Sequence, residues 1–273
     1  AGKIIKEMGL AKEYTIYILG SISEETCEGL ALGSFLKEYD INPDYVIIAE
    51  ASDLKICRGH RGRALLEAKF SGTPVHASRH NEGDNPLEKA LPFVQAVAGL
   101  DKNLPAKKPL GQGDIVATKI ETNNTSLNTL ASECRVIMDR RTNTADTRES
   151  IIRELKELPG GEQADIDFIM YSDRSYNGYK KEAEEYFPAW VIESSHELIK
   201  AGEKAYSELY SEKPEVAVWG FSTNGNYTMG KKGIPTLGFG PGEEKYAHGE
   251  DERVKIEDLV KAVAFYALLP QKL

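Results

Sequence analysis

Two adjacent glutamates, Glu24 and Glu25, are the side chains of this sequence best placed to do chemistry. They follow an apolar run at residues 14–19 that is rich in β-branched and aromatic side chains and is closed by a glycine. This pattern predicts a buried strand, and open α/β sheets place their active residues at the carboxyl ends of such strands. One carboxylate could hold a metal ion while its neighbour takes a proton from water. The pair alone leaves open a plainer reading, the acidic first turn of the next helix.

Glu50 and His248 follow two further apolar runs. Glu50 comes directly after residues 45–49, a second predicted buried strand, and His248 lies in a loop after a third at residues 234–240. If these strands are parallel, their carboxyl ends meet at one edge of one sheet. Carboxylates and an imidazole without a thiolate suit zinc, manganese or cobalt, and zinc is the commonest choice for hydrolysis. An acid at a helix start and a histidine in a surface loop remain the alternatives for these two residues.

Other histidines and one arginine could also carry chemistry. His76 lies in a turn-like segment of a different region, where an exposed turn histidine is the alternative to a functional one. Arg141 ends a predicted strand and could hold a substrate carboxylate through two contacts, or form a surface ion pair. His60, His80 and His196 are predicted to be surface residues. The G-x-G-x-x-G fingerprint and the G-x-S-x-G elbow do not occur in the sequence, which disfavours dinucleotide binding and serine hydrolase chemistry.

Composition limits the partners of the protein. The 273 residues carry a formal charge of -9, which disfavours binding to a phosphate backbone, so no nucleic acid partner is expected. No apolar run approaches the length that crosses a bilayer, so no membrane partner is expected. The three cysteines are widely spaced and form no Cys-x-x-Cys, which favours a reducing compartment such as the cytoplasm.

The order of predicted elements indicates an α/β protein with an inserted domain. Strands and helices alternate in residues 1–60 and 176–273, which predicts a mainly parallel sheet covered on both faces. Residues 61–175 show the order β-α-β-β-α-β of a ferredoxin-like unit. Ser194 or Ser195 is expected to cap the helix predicted at residues 194–210. The predicted strands cover residues 14–19, 45–49, 63–70, 114–121, 133–139, 165–171, 216–219 and 234–240, and the predicted helices cover residues 1–9, 27–36, 85–97, 146–158, 194–210 and 256–269.

Short segments found in order along the whole chain carry a resemblance to a known family. The chain resembles the dinuclear zinc hydrolases that include acetylornithine deacetylase, succinyl-diaminopimelate desuccinylase, carboxypeptidase G and aminoacylase-1. It is most similar to their bacterial subgroup of selenium-metabolism-linked peptidases or deacylases. The matching segments are S-E-E-T at 23–26, A-E-A-S at 49–52, G-H-R-G at 59–62, T-P-V-H-A-S at 73–78, D-N-P at 84–86, L-N-T at 127–129, D-R-R at 139–141, F-S-T-N-G at 221–225 and G-F-G-P-G at 238–242.

The resemblance implies a hydrolase that cleaves the amide bond of a small N-acyl amino acid or dipeptide. It implies two zinc ions per subunit, with cobalt or manganese as substitutes, and a homodimer in which the ferredoxin-like unit serves as the lid and dimerisation domain. By this resemblance, Glu24 is the general base, Glu25 and His248 are ligands of one zinc, and Glu50 is a ligand of the other. His76 stabilises the oxyanion in the other subunit's site, and Asn128 and Arg141 contact the substrate. The substrate pocket is lined by Ser222, Thr223, Asn224 and Gly225.

The sequence departs from the family pattern in one respect. Family members also have an upstream His-x-Asp and a bridging aspartate in an Asp-x-Lys-Gly-Gly segment, and neither occurs here. We therefore expect that the N-terminal part of the catalytic domain is missing and that native sequence precedes Ala1. A chain without these ligands would bind metal weakly and could be inactive as it stands. A non-catalytic dimerising or ligand-binding protein on the same scaffold is the alternative function.

Overall fold

The computed structural model describes residues 1–10 and 13–273. The chain divides into two compact units, one formed by Ala1–Arg61 with Ala189–Leu273 and the other by Gly62–Pro188. The second unit thus interrupts the first in sequence. It extends to Pro188, beyond the predicted boundary after residue 175, because Ala183–Glu184 and Tyr186–Phe187 pair with strands of the second unit.

Helices and strands of the two units are numbered together in chain order. The α-helices are α1 Gly2–Met8, α2 Leu30–Glu38, α3 Pro86–Leu100, α4 Arg148–Lys156, α5 Glu197–Tyr210 and α6 Ile256–Leu268. The strands are β1 Val46–Ile48, β2 Ile56–His60, β3 Gly62–Ser71, β4 Ala106–Lys107, β5 Gly111–Gln112, β6 Asp114–Thr122, β7 Glu133–Thr142, β8 Ala164–Phe168, β9 Met170–Tyr171, β10 Ala183–Glu184, β11 Tyr186–Phe187, β12 Trp190–Val191, β13 Val216–Trp219 and β14 Thr236–Gly238.

The first unit is built on a mixed sheet. β1 pairs with β14 and β13 pairs with β2 in parallel, whereas β14 and β12 pair with β2 in antiparallel fashion. The α/β class is confirmed, and the sheet is mixed rather than mainly parallel because β2, which the sequence did not predict, runs against two of its neighbours. Fully buried Ile56, Leu198, Leu237 and Phe265 join the strands to the helices that pack on them.

Residues 14–19, predicted as a buried strand, are exposed and belong to no strand. Among the described strands β1 pairs with β14 alone, and a cleft of about 1030 Å³ is lined by residues 14–19 and 45–50. The prediction was wrong because an apolar, β-branched run forms a strand only where a neighbouring strand satisfies its backbone N–H and C=O groups. No such neighbour occurs among the described residues.

The second unit has the predicted ferredoxin-like order. β3, α3, β6, β7, α4 and β8 follow one another in sequence, and the antiparallel sheet has the spatial order β8-β3-β7-β6. Side chains of β3 and β7 alternate between buried and partly exposed, which is the period-2 signal that the sequence carried. The buried face packs on α3 and α4 through Phe70, Phe93, Val136 and Ile151.

Two helix termini differ in detail from expectation. α5 is capped by His196, whose Nδ1 accepts the Leu198 N–H at 3.1 Å, and not by Ser194 or Ser195. α2 begins at Leu30, after a turn that holds the two glutamates. Within residues 1–10 and 13–273, every helix is too short or too polar to cross a membrane.

Candidate metal and catalytic site

Glu24 and Glu25 lie in a turn that precedes α2. The turn begins with Ser23, whose φ of 55° is unusual for a residue other than glycine, and the Cys27 N–H closes it by donating to the Ser23 carbonyl at 3.0 Å. Glu24 is half-buried and its Oε1 is shielded from solvent, whereas Glu25 is exposed. The two neighbouring carboxylates are therefore in different environments, as two different chemical roles require.

The structure brings Glu25 and His248 together from distant parts of the chain. His248 Nε2 lies 3.5 Å from Glu25 Oε2, and both side chains are about three-quarters exposed, at 73% and 74%. His248 also has a left-handed backbone conformation, with a φ of 59°. An exposed pair of this kind adds little to stability, and backbone strain of this kind is typical of functional sites. The arrangement is one that a shared divalent cation would explain.

Glu50 follows β1 and is half-buried. Burial raises the pKa of its carboxyl group, and the negative charge of Glu25 raises the same pKa further. Glu50 therefore lies close enough to Glu25 for the two charges to repel each other. A bound cation would reverse this penalty, because an opposite charge favours the ionised carboxylate.

Hydrogen bonds tie the loop after Glu50 to the loop that leads to His248. The Ser52 Oγ accepts the Gly240 N–H at 2.9 Å, and the Leu54 N–H donates to the Gly240 carbonyl at 3.1 Å. The Trp219 Nε1–H donates to the carbonyl of Ala51 at 2.8 Å. These bonds hold the loop after Glu50 beside Gly240, which follows β14, and beside Trp219 of β13, and the chain runs on from Gly240 to His248.

The chemistry of this donor set suits a divalent cation, but the set is incomplete. Two carboxylates and an imidazole are hard-to-borderline ligands that zinc accepts. Among the described residues, no three His, Cys, Asp or Glu side chains lie close enough together to hold a metal ion. The structure thus assembles the Glu25–His248 pair and places the Glu50 charge nearby.

The candidate site borders the cleft of the first unit. Glu24, Glu50 and Asn224 contribute to its lining. Tyr266 also lines the cleft; its hydroxyl donates to the Phe239 carbonyl, and burial raises the pKa of its phenol, so it stays neutral. Glu24, Glu50 and Asn224 are among several polar residues that line the cleft, and they are the ones for which the family resemblance implies a base, a metal ligand and a pocket contact.

Residues 222–226, called the pocket loop below, are largely buried. Asn224 Oδ1 accepts the Gly29 N–H at 2.7 Å, which links the loop to the residue that caps α2. Thr223 is fully buried and its N–H donates to His60 Nδ1 at 2.9 Å. The prediction that His60 is a surface residue is therefore wrong: its side chain is fully buried. Nothing local signals this burial, because the partner of His60 lies 163 residues away in sequence.

In the second unit, two of the three predicted site residues contact each other. His76 Nε2 lies 3.1 Å from Asn128 Nδ2, and His76 Nδ1 lies 2.8 Å from the Ser78 hydroxyl. Arg141 is engaged elsewhere, with its Nε 3.0 Å from Asp139 Oδ1. The predicted roles of His76, Asn128 and Arg141 towards substrate stay predictions.

The sequence profile described as Peptidase family M20/M25/M40 matches residues 1–272. The chain belongs to this family. The matched residues include both units described above. The match confirms the resemblance seen in the short segments of the sequence.

Three known proteins illustrate the likeness. The chain is 37% identical over 272 residues to the uncharacterized protein YgeY of Escherichia coli K12, covering 99% of this chain and 68% of that protein. It is 25% identical to N-formyl-4-amino-5-aminomethyl-2-methylpyrimidine deformylase of Bacillus subtilis, covering 96% of this chain and 65% of that one. A tripeptidase structure from Staphylococcus aureus superposes with a TM-score of 0.67 at 18% identity, covering 98% of this chain and 66% of that one. The chain thus spans about two thirds of the length of these proteins.

Proposed function

We propose that the protein is a metal-dependent hydrolase that cleaves the amide bond of a small N-acyl amino acid or dipeptide. The observation that carries this proposal is the contact between Glu25 and His248 beside the half-buried Glu24 and Glu50. Membership of a peptidase family supports it, and two of the relatives are named a deformylase and a tripeptidase. An N-formyl group and a peptide are both amides. The non-catalytic alternative has no comparable support.

The ligands of the proposed metal follow from the arrangement of charges. Glu25 and His248 would hold one divalent ion, and Glu50 would belong to a second. Zinc fits this donor set best, with cobalt or manganese as substitutes. A bound zinc supplies Lewis acidity, which brings the pKa of water towards neutrality and polarises an amide carbonyl.

Glu24 is the proposed general base. Its neighbour Glu25 would be held by metal, so Glu24 remains to take a proton from the attacking water and deliver it to the leaving nitrogen. The pocket loop, with Ser222, Thr223, Asn224 and Gly225, would bound the space for the substrate. The two different roles, base for Glu24 and metal ligand for Glu25, fit the different exposure of the two side chains, because Glu24 is half-buried and Glu25 is exposed.

The second unit is the proposed lid and dimerisation domain. His76 would stabilise the oxyanion in the other subunit's site, and Asn128 and Arg141 would contact the substrate. Edge strand β6 exposes Val116 and Ile120, which supports an intersubunit contact at this edge of the sheet. Light scattering on the purified protein would test the homodimer. Cys27, Cys57 and Cys134 are buried and form no disulfide within the described residues, which supports a reducing compartment such as the cytoplasm.

The test of the hydrolase is a Glu24→Gln variant assayed with zinc on N-formyl, N-acetyl and N-succinyl amino acids and on dipeptides. Turnover should fall by about 10²–10⁴-fold, the range for loss of a general base, while zinc affinity is unchanged. The exposed Glu149→Gln serves as the matched control and should behave as the wild type. Undiminished turnover in the Glu24→Gln protein would remove Glu24 from the mechanism, and no turnover of any amide by the zinc-loaded wild type would remove the function.

A further inference from the structure

His60 makes a contact that neither the proposed metal site nor the proposed base uses. It ends β2 and is fully buried, as is Thr223. The Thr223 N–H donates to His60 Nδ1 at 2.9 Å, and the Thr223 hydroxyl lies 3.2 Å from the same nitrogen. Because Nδ1 accepts a backbone N–H, it carries no proton. A neutral imidazole in this position has its proton on Nε2.

Thr223 is also the centre of the hydrogen bonds inside the pocket loop. Its hydroxyl accepts the Gly225 N–H at 3.0 Å, and its carbonyl accepts the Asn226 side-chain amide at 2.8 Å. The hydroxyl also lies near His60 Nδ1, whose single lone pair it can only share with the shorter contact from the Thr223 N–H. Any displacement of Thr223 therefore displaces the neighbouring residues of the loop.

Trp190 closes the same side of the loop. Its ring centre lies 5.4 Å from that of His60, and a Cβ at Gly225 would fall 2.6 Å from Trp190 Nε1. The loop therefore lies so close to the indole of Trp190 that only a glycine fits at position 225. On the other side, Asn224 is bonded to Gly29. The pocket loop is thus held between a buried aromatic pair and the start of α2.

We propose that His60 is a positioning residue that holds the pocket loop in place through its unprotonated Nδ1. This inference rests on the proposed function, in which the loop bounds the substrate site. His60 acts through Thr223 and does not touch the reacting groups. Its loss should therefore weaken substrate binding and leave the proton transfer assigned to Glu24 largely intact, so the expected effect is on KM and not on kcat.

Two variants separate the hydrogen bond from the ring. His60→Phe keeps an aromatic ring beside Trp190 and removes the acceptor, whereas His60→Asn restores an acceptor near the position of Nδ1 and removes the ring. The His60→Phe protein should show a KM raised about tenfold, the effect of one buried hydrogen bond, with kcat within about twofold of the wild type. His60→Asn should recover most of this loss, and the exposed His80→Phe should show no change.

Hydrogen exchange gives a readout that does not depend on activity. The peptide that covers residues 222–226 should exchange at least about tenfold faster in His60→Phe than in the wild type or in His60→Asn, because the Thr223 amide has lost its acceptor. Equal protection in all three proteins would overturn the proposal. Faster exchange in the loop with no turnover by any protein would leave the positioning role standing and count against the proposed function alone.

The tautomer can be read in the unaltered protein, which covers the case in which a variant fails to fold. With ¹⁵N-labelled histidine, His60 should show a pyridine-type Nδ1 and a protonated Nε2 at neutral pH, assigned by the signal that disappears in His60→Asn or, failing that, by its contact with the Thr223 amide. A protonated Nδ1 would overturn the proposal, since it could not accept the Thr223 N–H.

Discussion

His248 Nε2 and Glu25 Oε2 lie 3.5 Å apart, although the two residues come from opposite ends of the chain and neither is buried. If this contact marks a metal site, His248→Ala should lower zinc affinity at least about tenfold, since even residues outside the coordination shell cost that much. Calorimetric titration of the metal-free protein measures this. His80→Ala, at another exposed histidine, should keep the wild-type affinity. Equal affinities in the two variants would show that zinc binds elsewhere.

The raised pKa of Glu50 predicts a pH-dependent stability. Because burial and Glu25 raise its folded-state pKa, Glu50 stabilises the fold fully below the ordinary pKa of a glutamate, and this contribution is lost as pH rises through the raised value. In the Glu50→Gln protein the side chain at this position does not ionise, so it makes no pH-dependent contribution of this kind. In metal-free protein, its melting temperature should exceed that of the wild type at neutral pH, and the difference should disappear in acid. The exposed Glu193→Gln should show no such trend; a pH-independent difference at Glu50 would contradict the assignment.

A buried ion pair in the second unit should matter far more than exposed ones. Arg140 and Asp146 lie 2.6 Å apart and their side chains are only 1% and 2% exposed. Arg140→Met should lower the free energy of unfolding by about 3–5 kcal/mol, because it leaves a buried carboxylate without its partner. Arg135 on the same strand is paired at the surface, so Arg135→Met should cost less than about 1 kcal/mol. Urea denaturation of both variants would show whether burial decides the cost.

Two glycine substitutions should have opposite signs. A Cβ on Gly238, in the middle of the first sheet, would fall 1.9 Å from Cη2 of Trp219, so Gly238→Ala should destabilise by at least about 1–3 kcal/mol through overpacking. Apart from the backbone of α3 itself, no atom in the described part of the chain lies within 4 Å of a Cβ on Gly99, so Gly99→Ala should stabilise by up to about 1 kcal/mol. Calorimetric melting of the two proteins tests the pair, and a stable Gly238→Ala protein would mean that Trp219 can move aside.

The cysteines should be inert in the folded protein. Burial raises the pKa of Cys57 to about 12 and also raises that of Cys134, and all three cysteine side chains are buried. A disulfide reagent at pH 8 should therefore react slowly with the native protein and quickly with three thiols after unfolding in urea. A fast-reacting thiol in the native protein would show that one of these sites opens readily.

The sequence predicted the second unit more accurately than the first, for a physical reason. Each of β3 and β7 has one buried and one partly exposed face, so their side chains alternate in the sequence itself. Residues 14–19 have a composition just as typical of a strand, yet they are exposed and form none. A strand needs a neighbouring strand to bond with, and the composition of a segment does not show whether that neighbour is present. His60 was missed for a similar reason. The neighbours Gly59 and Arg61 give no local sign that this histidine is buried; in the structure it contacts Thr223 and packs beside Trp190, both far away in sequence.

Within residues 1–10 and 13–273, the hydrophobic core of each unit is drawn from that unit's own residues. Substitutions that refine the insert need not be compensated in the framework that carries the carboxylates, and the reverse also holds. A change of packing inside one core therefore leaves the packing of the other core undisturbed, and evolution can adjust the two interiors one at a time.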